Sequence, residues 1–139
     1  MNLYVVDASV AAKWFFEEIH AEASQQLLED RYYLHAPDFF LMEIDSLLCK
    51  RIRRKEINER EGQKIRAALR QFPIQYHPFQ NMLDLAYEIA NRTGHSVYDC
   101  LYIALAALLQ GQMVTADRRL YDGLAHGPFA RYVRWVSEE

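Results

Sequence analysis

Apolar and polar positions alternate along the 139 residues in two distinct periods. Short runs rich in β-branched and aromatic residues predict strands at 3–6, 32–36, 73–78, 113–115 and 131–136. Apolar residues spaced three and four apart predict helices at 9–18, 21–29, 38–55, 58–71, 80–92 and 96–110, and a short helix that ends near 124. The sequence therefore predicts one α/β domain over 1–139, a helix-rich α/β/α sandwich around a parallel sheet.

Three details refine this prediction. The segment 73–78 is bounded by prolines, which favours a strand at an edge of the sheet. Asp38 is a plausible N-cap for the helix that follows it. The helix at 96–110 is apolar on every side, so we expect it to be the most buried. Cys49 and Cys100 lie in apolar helical stretches without metal-type spacing, and we expect both to be buried thiols in a reducing compartment.

The composition is that of an ordinary globular domain, with 51% apolar and 25% charged residues. The net charge of -3 does not indicate a nucleic-acid binder, so any such contact has to rest on local basic patches. No apolar run reaches the roughly 18 residues that a membrane span needs. The N-terminus lacks a basic leader and a cleavage site, and we expect a cytoplasmic protein.

Two acidic residues follow predicted strands. Asp7 ends the first strand, and Asp117 comes just after the strand at 113–115. In open parallel sheets, ligands bind outside the carboxyl ends of the strands. If the two strands are neighbours, both side chains project into one crevice. The alternative is that each acid simply caps the helix that follows it.

Two further acids lie in helices. Asp99 opens the most apolar helix, although Ser96 and Asp99 also fit a capping box. Glu43 lies inside a helix with apolar residues three and four positions away, where a carboxylate is costly unless it is paired or binds a metal. Asp45 is a rival on the opposite face of that helix, and periodicity does not rank the two.

A group of carboxylates has an electrostatic consequence. Two of them about 4 Å apart repel by roughly 4 kcal/mol at an effective dielectric of 20, so the group must take up protons or hold a cation. The five histidines are scattered and offer no zinc site. An all-oxygen set suits Mg²⁺ or Mn²⁺, and the chemistry this implies is phosphodiester hydrolysis by metal-activated water.

Four motifs occur in an order that resembles one known family. They are DASVAAKW at 7–14, Pro37 with Glu43 six positions on, SVYDCLYIALA at 96–106 and TADRRL at 115–120. Together they resemble the PIN domain and, more narrowly, the VapC-type toxins of bacterial and archaeal toxin–antitoxin pairs. The resemblance covers essentially the whole chain.

The resemblance implies a Mg²⁺-dependent endoribonuclease with an acidic pocket formed by Asp7, Glu43, Asp99 and Asp117. Asp7 and Asp99 match the metal ligands best. Ser9 and Thr115 match polar positions that support the pocket. The likeness also implies a homodimer and an antitoxin that occludes the active site. Family members often carry Asn three residues after the helical Glu, where this chain has Ser46, so the hydrogen bonding around Glu43 is expected to differ.

Basic residues near these acids are candidates for contacts with an RNA backbone. The run at 51–55 fits either phosphate contacts or a solvated helix end that is stabilised by the helix dipole, and the second interpretation is slightly favoured. Arg118, next to Asp117, is the better phosphate candidate.

Other functions fit the acids less well. A receiver-type phosphoacceptor domain needs paired acids at the first strand, where Asp7 stands alone. A phosphatase with an Asp nucleophile needs an acid two places later, where Ser9 stands. A catalytically inactive PIN-like binding module is the more serious alternative, but such a module is expected to have lost one of the acids, and all four are present.

Overall fold

Five strands form the frame of the protein. The computed structural model describes residues 3–16, 20–29 and 32–137. Within them the strands are β1 (Leu3–Val6), β2 (Tyr33–Pro37), β3 (Ile74–His77), β4 (Gln112–Thr115) and β5 (Val133–Trp135). Each of the five predicted strands is found within a few residues of its expected bounds.

The strands form one sheet in the order β3-β2-β1-β4-β5, and all four pairings are parallel. The α/β class and the edge position of β3 are thereby confirmed. The chain places β2 and β3 on one side of β1 and then crosses to the other side for β4. The direction of winding therefore reverses beside β1, and ligands of open α/β sheets bind outside the carboxyl ends of the strands at such a point.

Helices connect the strands. Among the described residues they are α1 (Ala8–Ala12), α2 (Ala21–Gln26), α3 (Phe40–Arg53), α4 (Glu59–Leu69), α5 (Leu83–Thr93), α6 (Val97–Leu109) and α7 (Arg118–Leu124). Short 3₁₀ turns at Phe79–Met82 and Ala130–Tyr132 precede α5 and β5. The helix predicted at 80–92 therefore begins as a 3₁₀ turn.

The first helix is shorter than the predicted range of 9–18. After Ala12 the backbone N–H groups of Lys13, Trp14 and Phe15 bond three residues back instead of four, which ends the α-helix in tight turns. Positions 17 and 18 of the prediction lie outside the described residues. The turn keeps Trp14 buried, where its indole N–H donates to the carbonyl of Ser24 at 2.8 Å.

The helix α6 is the most buried, as predicted. Its residues from Cys100 to Ala106 are all buried, and the helix packs against α5 and three strands, β1, β2 and β4. At 13 residues it is shorter than the roughly 20 that a membrane span needs. Nowhere in the described chain does a helix combine the length and the apolarity required to cross a bilayer.

Two predictions around α3 are wrong. Cys49 is exposed, because the buried stripe of this helix is Phe40, Ile44 and Leu48 and Cys49 lies one position beside it. Asp38 is not the cap, since the N-cap is Phe39. The backbone N–H of Asp38 donates to the carbonyl of His77 at 2.8 Å, and its carboxylate accepts the N–H of Phe79 at 3.2 Å, so Asp38 extends the β2–β3 pairing.

Candidate functional site

Asp7 lies at the carboxyl end of the central strand. It is 7% exposed and is the N-cap of α1, where Oδ1 accepts the backbone N–H of Val10 at 3.0 Å. The same oxygen accepts the hydroxyl of Ser9 at 2.6 Å, and Oδ2 accepts the hydroxyl of Thr115 at 2.7 Å. The cap interpretation is therefore correct but incomplete, because capping uses one of three hydrogen bonds to this carboxylate.

The hydroxyls of Ser9 and Thr115 join the end of β1 to the end of β4. Ser9 Oγ also accepts the backbone N–H of Ala116 at 3.2 Å, and Thr115 Oγ1 accepts that of Asp117 at 3.0 Å. Each hydroxyl thus donates to Asp7 and accepts from the turn that follows β4. Both residues were predicted to support the acidic pocket, and the geometry gives them the contacts to do so.

These hydrogen bonds leave little free acceptor capacity on Asp7. A carboxylate oxygen has two lone pairs, so Oδ1 is filled and Oδ2 keeps one available. Burial raises the pKa of Asp7, and the charge of Asp99 adds to the rise, whereas the hydrogen bonds from Ser9, Thr115 and Val10 oppose it. The ionised carboxylate is therefore oriented by its donors, and the charge that acts on its pKa is the like charge of Asp99.

Glu43 extends from α3 toward the same edge of the sheet. Its Oε1 accepts the phenol O–H of Tyr102, on α6, at 2.5 Å. Burial raises the pKa of Glu43, the Tyr102 hydrogen bond opposes the rise, and the charges of Asp7 and Asp99 add to it. Ser46 stands where family members often carry Asn, and the hydrogen bond to Glu43 comes instead from Tyr102 on a different helix.

Asp45 has a different environment. Its Oδ1 accepts the Nε–H of Arg66, on α4, at 2.7 Å, and its Oδ2 accepts an Nη2–H of the same guanidinium at 3.1 Å. This bidentate pair satisfies both partners and joins α3 to α4. The structure therefore separates the two acids that periodicity left unranked, because Glu43 faces Asp7 and Asp45 does not.

Asp99 lies in the first turn of α6. Ser96 is the N-cap and its hydroxyl oxygen accepts the backbone N–H of Asp99 at 3.1 Å, so the capping half of the predicted capping box is found. Burial raises the pKa of Asp99 and the charge of Asp117 adds to the rise, while Ser96 and the charges of His95 and Arg119 oppose it. Because Asp99 also raises the pKa of Asp7 and Glu43, it is the link among the acids.

Asp117 is the exposed member. It caps α7 by accepting the backbone N–H of Leu120 at 3.2 Å, as the simpler interpretation predicted. Its charge still reaches Asp99. The structure therefore brings all four predicted acids to one edge of the sheet, and we refer to Asp7, Glu43, Asp99 and Asp117 as the acid cluster.

Tyr102 was missed at the sequence level. It stands three residues after Asp99 on α6, which puts the two on one face of the helix, but in so apolar a run a tyrosine resembles any other core residue. Burial and the charge of Glu43 raise the pKa of its phenol, so the group remains a protonated donor to Glu43. The signal available was the spacing between Tyr102 and Asp99.

The donor atoms of the acid cluster suit a hard cation. Among the described residues, no group of three or more Asp, Glu, His or Cys side chains could hold a metal ion as arranged. Mg²⁺ does not require such a cage, since it is usually bound by one or two carboxylates and keeps several waters. One or two of the oxygen donors offered by Asp7 Oδ2, Glu43 and Asp99 would be enough for such an ion.

Arg118 lies on the rim beside Asp117. Its side chain is 59% exposed, and its guanidinium carbon is 3.9 Å from the centroid of the Trp135 ring. Arg118 Nη1 lies 3.6 Å from Oδ1 of Asp122, on the next turn of α7. Stacking on an aromatic face leaves the edge of a guanidinium available for hydrogen bonds, so Arg118 is placed to receive an anion.

The fold and this edge define a class of protein: a parallel α/β domain with carboxylates gathered where the strand order reverses. The sequence model of the PIN domain family matches residues 4–123. The chain therefore belongs to the PIN domain family, which confirms the resemblance noted in its four motifs.

Individual relatives agree with this assignment. The chain is 31% identical over 120 residues to a Pyrobaculum aerophilum protein named ribonuclease VapC3, covering 85% of this chain and 92% of the relative. It is 32% identical over 120 residues to ribonuclease VapC9 of Mycobacterium tuberculosis, covering 86% and 90%. A chain in a toxin–antitoxin complex from Klebsiella pneumoniae has the same fold, with a TM-score of 0.69, 14% identity and coverage of 98% and 99%.

Proposed function

We propose that this protein is a Mg²⁺-dependent endoribonuclease, with Mn²⁺ as an alternative cofactor, and the toxin of a VapBC-type pair. The observation that carries the proposal is the acid cluster. Burial raises the pKa of Asp7, Glu43 and Asp99, and in each case the charge of at least one other member of the cluster adds to the rise. Such a group is relieved by a cation, and the relatives named above are described as ribonucleases.

In this proposal Asp7 and Asp99 hold the ion, with help from Glu43 and Asp117. When bound, the ion would supply Lewis acidity and a water of lowered pKa for attack on an RNA phosphodiester. Ser9 and Thr115 orient the Asp7 carboxylate through one hydrogen bond to each oxygen, which leaves one lone pair of Oδ2 for the ion. Tyr102 restrains Glu43 in the same way, and Arg118 binds a phosphate oxygen of the substrate.

The partners follow from the same family. A solved structure of the same fold comes from a complex described as toxin–antitoxin, and on that basis we propose a cognate antitoxin that covers the acid cluster. A homodimer and a cytoplasmic location belong to the same proposal. A small antitoxin-like reading frame adjoining this one would support it.

The test is RNA cleavage by the purified protein with added Mg²⁺ or Mn²⁺. Asp7→Asn and EDTA should each reduce the rate by about a thousandfold or more, because metal catalysis supplies several kcal/mol of charge stabilisation and about 1.4 kcal/mol is tenfold in rate. Asp84→Asn is the control, since this acid is exposed on α5. Cleavage that survives both treatments would contradict the metal mechanism, and RNA binding without cleavage would indicate an inactive binding module.

A further inference from the structure

A groove of about 610 Å³ starts at the acid cluster and runs along α3. Its α3 wall is formed by Glu43, Ser46, Leu47, Lys50, Arg51 and Arg54. These positions are mostly three or four apart, so they form one continuous face of the helix. We refer to this feature as the α3 groove.

The charge of the α3 groove changes sign along its length. Glu43 lies at the end that joins the acid cluster, and the cations occupy the other end. The guanidinium carbon of Arg51 lies 3.9 Å from the centroid of the Phe16 ring, and its Nη1 lies 3.6 Å from a carboxylate oxygen of Glu56. Arg51 is thus part of the groove wall, held by an aromatic face and an acid.

Lys50 and Arg54 have a different role. Both are exposed, and neither has a carboxylate partner among the residues the structure describes. They are four residues apart on α3, so their charges point to the same side. Lys50 and Arg54 therefore present two uncompensated positive charges to whatever lies in the α3 groove.

The length of the groove fits a polymer better than a small anion. Lys50 and Arg54 lie seven and eleven residues after Glu43, which is about 10 and 16 Å along a helix axis. A single phosphate at the acid cluster is too small to contact both cations as well. A nucleic-acid strand carries a phosphate at every nucleotide, so one phosphate at the cluster and others beside Lys50 and Arg54 satisfy both ends.

We infer that the α3 groove is the track along which an RNA strand lies on one side of the phosphate to be cleaved. This inference rests on the proposed function, because it takes the acid cluster as the place of cleavage. Lys50 and Arg54 bind backbone phosphates, and Arg51 braces the wall between them. The contacts are to phosphates, so they position the strand without reading its sequence.

The test compares Lys50→Ala/Arg54→Ala with Arg53→Ala. Arg53 is an exposed cation on the same turn of α3 that does not line the groove. Alanine favours helix, so each variant should fold. Binding of a fluorescent single-stranded RNA is measured by anisotropy in EDTA over a range of salt. The salt slope is the slope of the logarithm of the binding constant against the logarithm of the salt concentration, and each phosphate contact of a single strand contributes about 0.7 to its size. The slope of the double variant should therefore be smaller by about 1.4, and that of Arg53→Ala should be unchanged.

A second measurement uses cleavage in Mg²⁺. The double variant should show a raised KM for a long RNA with kcat unchanged, and normal cleavage of a dinucleotide too short to enter the groove. Lys50→Arg/Arg54→Lys keeps both charges and should restore the salt slope.

Two results would overturn the inference. One is a double variant with the wild-type salt slope, which would point to an acidic protein segment as the occupant instead of RNA. The other is an equal loss from Arg53→Ala, which would indicate general surface charge. Because binding is measured in EDTA, it does not depend on hydrolysis. If the double variant shows the expected smaller salt slope but the wild-type protein does not cleave RNA, the proposed function is contradicted and the α3 groove is not.

Discussion

Two groups of titratable side chains in this protein each include a buried member, Asp7 in one and His35 in the other, and they differ in what they still need. His35 on β2 and His77 on β3 face each other with Nδ1 and Nε2 2.8 Å apart. One ring must donate this hydrogen bond and the other must accept it, so the pair is satisfied when both rings are neutral. Burial lowers the pKa of His35, and the charge of His77 lowers it further.

Asp7, Glu43 and Asp99 of the acid cluster are also buried or half-buried, but their charges are not satisfied within the cluster. Ionised carboxylates only accept hydrogen bonds, so the acids cannot satisfy one another as the two imidazoles do. Hydroxyls and a backbone N–H group orient Asp7 and Glu43, and the charges of His95 and Arg119 oppose the rise in the pKa of Asp99. The pKa values of all three acids are nevertheless raised. Burial shifts the pKa of His35, and likewise the pKa values of Asp7, Glu43 and Asp99, toward the neutral forms. The difference is that the histidine pair is complete without a ligand, whereas the charges of the acids raise one another's pKa values, so protons or a cation would relieve them.

The largest expected effect separates Glu43 from Asp45. Glu43→Gln should reduce RNA cleavage by about a thousandfold, because it removes one of the few carboxylates available to the cation. Asp45→Asn should leave cleavage near the wild-type rate and cost some stability, since its pairing with Arg66 joins α3 to α4. Cleavage rates and urea unfolding of both variants are the measurements. The reverse pattern would mean that the assignment of the two helix faces is wrong.

A smaller effect is expected from Tyr102→Phe. The substitution keeps the buried ring but removes the donor to Glu43, so the carboxylate is no longer restrained. Loss of a hydrogen bond to a metal ligand typically costs 10–100-fold in metal affinity or activity, and we expect a loss in about that range for Mg²⁺ affinity measured by calorimetry. Tyr98→Phe, at an exposed position of α6, is the matched control. Unchanged Mg²⁺ affinity in Tyr102→Phe would show that the hydrogen bond is structural only.

The smallest effects are opposite pH dependences of stability in the two regions. The raised pKa of Asp99 means that, above the ordinary value of 3.8, the folded state holds more protons than the unfolded state, so the free energy of unfolding falls as pH rises. The lowered pKa of His35 means that, below the ordinary value of 6.5, the unfolded state takes up protons that the folded state refuses, so stability falls as pH falls.

Urea unfolding of the wild type and of two variants, at pH values above 3.8 and below 6.5, measures both pH dependences of stability. Each variant removes the titrating group of one region. In metal-free buffer, the free energy of unfolding of Asp99→Asn should increase relative to that of the wild type as pH rises. That of His35→Gln should increase relative to the wild type as pH falls. Saturating Mg²⁺ should remove the first dependence, since it favours the ionised acids, and leave the second in place. The distinction between the two regions would be wrong if Mg²⁺ changed the pH dependence assigned to His35, or if it left the one assigned to Asp99 unchanged.

The sequence predicts the sheet and its acidic edge well for one physical reason. Strands buried on both faces are apolar at every position, so Asp7 and Asp117 stand out where β1 and β4 end. Other features depend on how elements pack. Periodicity defines two faces of α3 but does not tell which one meets the sheet, so Glu43 and Asp45 could not be ranked. Cys49 was misjudged for the same reason.

Features that arise between helices were also out of reach. Tyr102 looks like a core residue until Glu43 is brought beside its hydroxyl. The basic run at the end of α3 fits a solvated helix end until the α3 groove connects it to Glu43. The functional roles of the acid cluster, Ser9, Thr115 and Arg118 remain predictions that the experiments above address.

The hydrogen bond from Thr115 to Asp7 has a consequence for the order of synthesis and folding. It joins residues 108 positions apart, and Asp117 lies further along the chain. The ribosome must therefore translate the whole segment between the two residues before the carboxylate of Asp7 can acquire its partners from β4. Contacts of such long sequence separation form slowly, because the intervening chain must first be ordered. A nascent or truncated chain thus carries Asp7 without the environment that orients it.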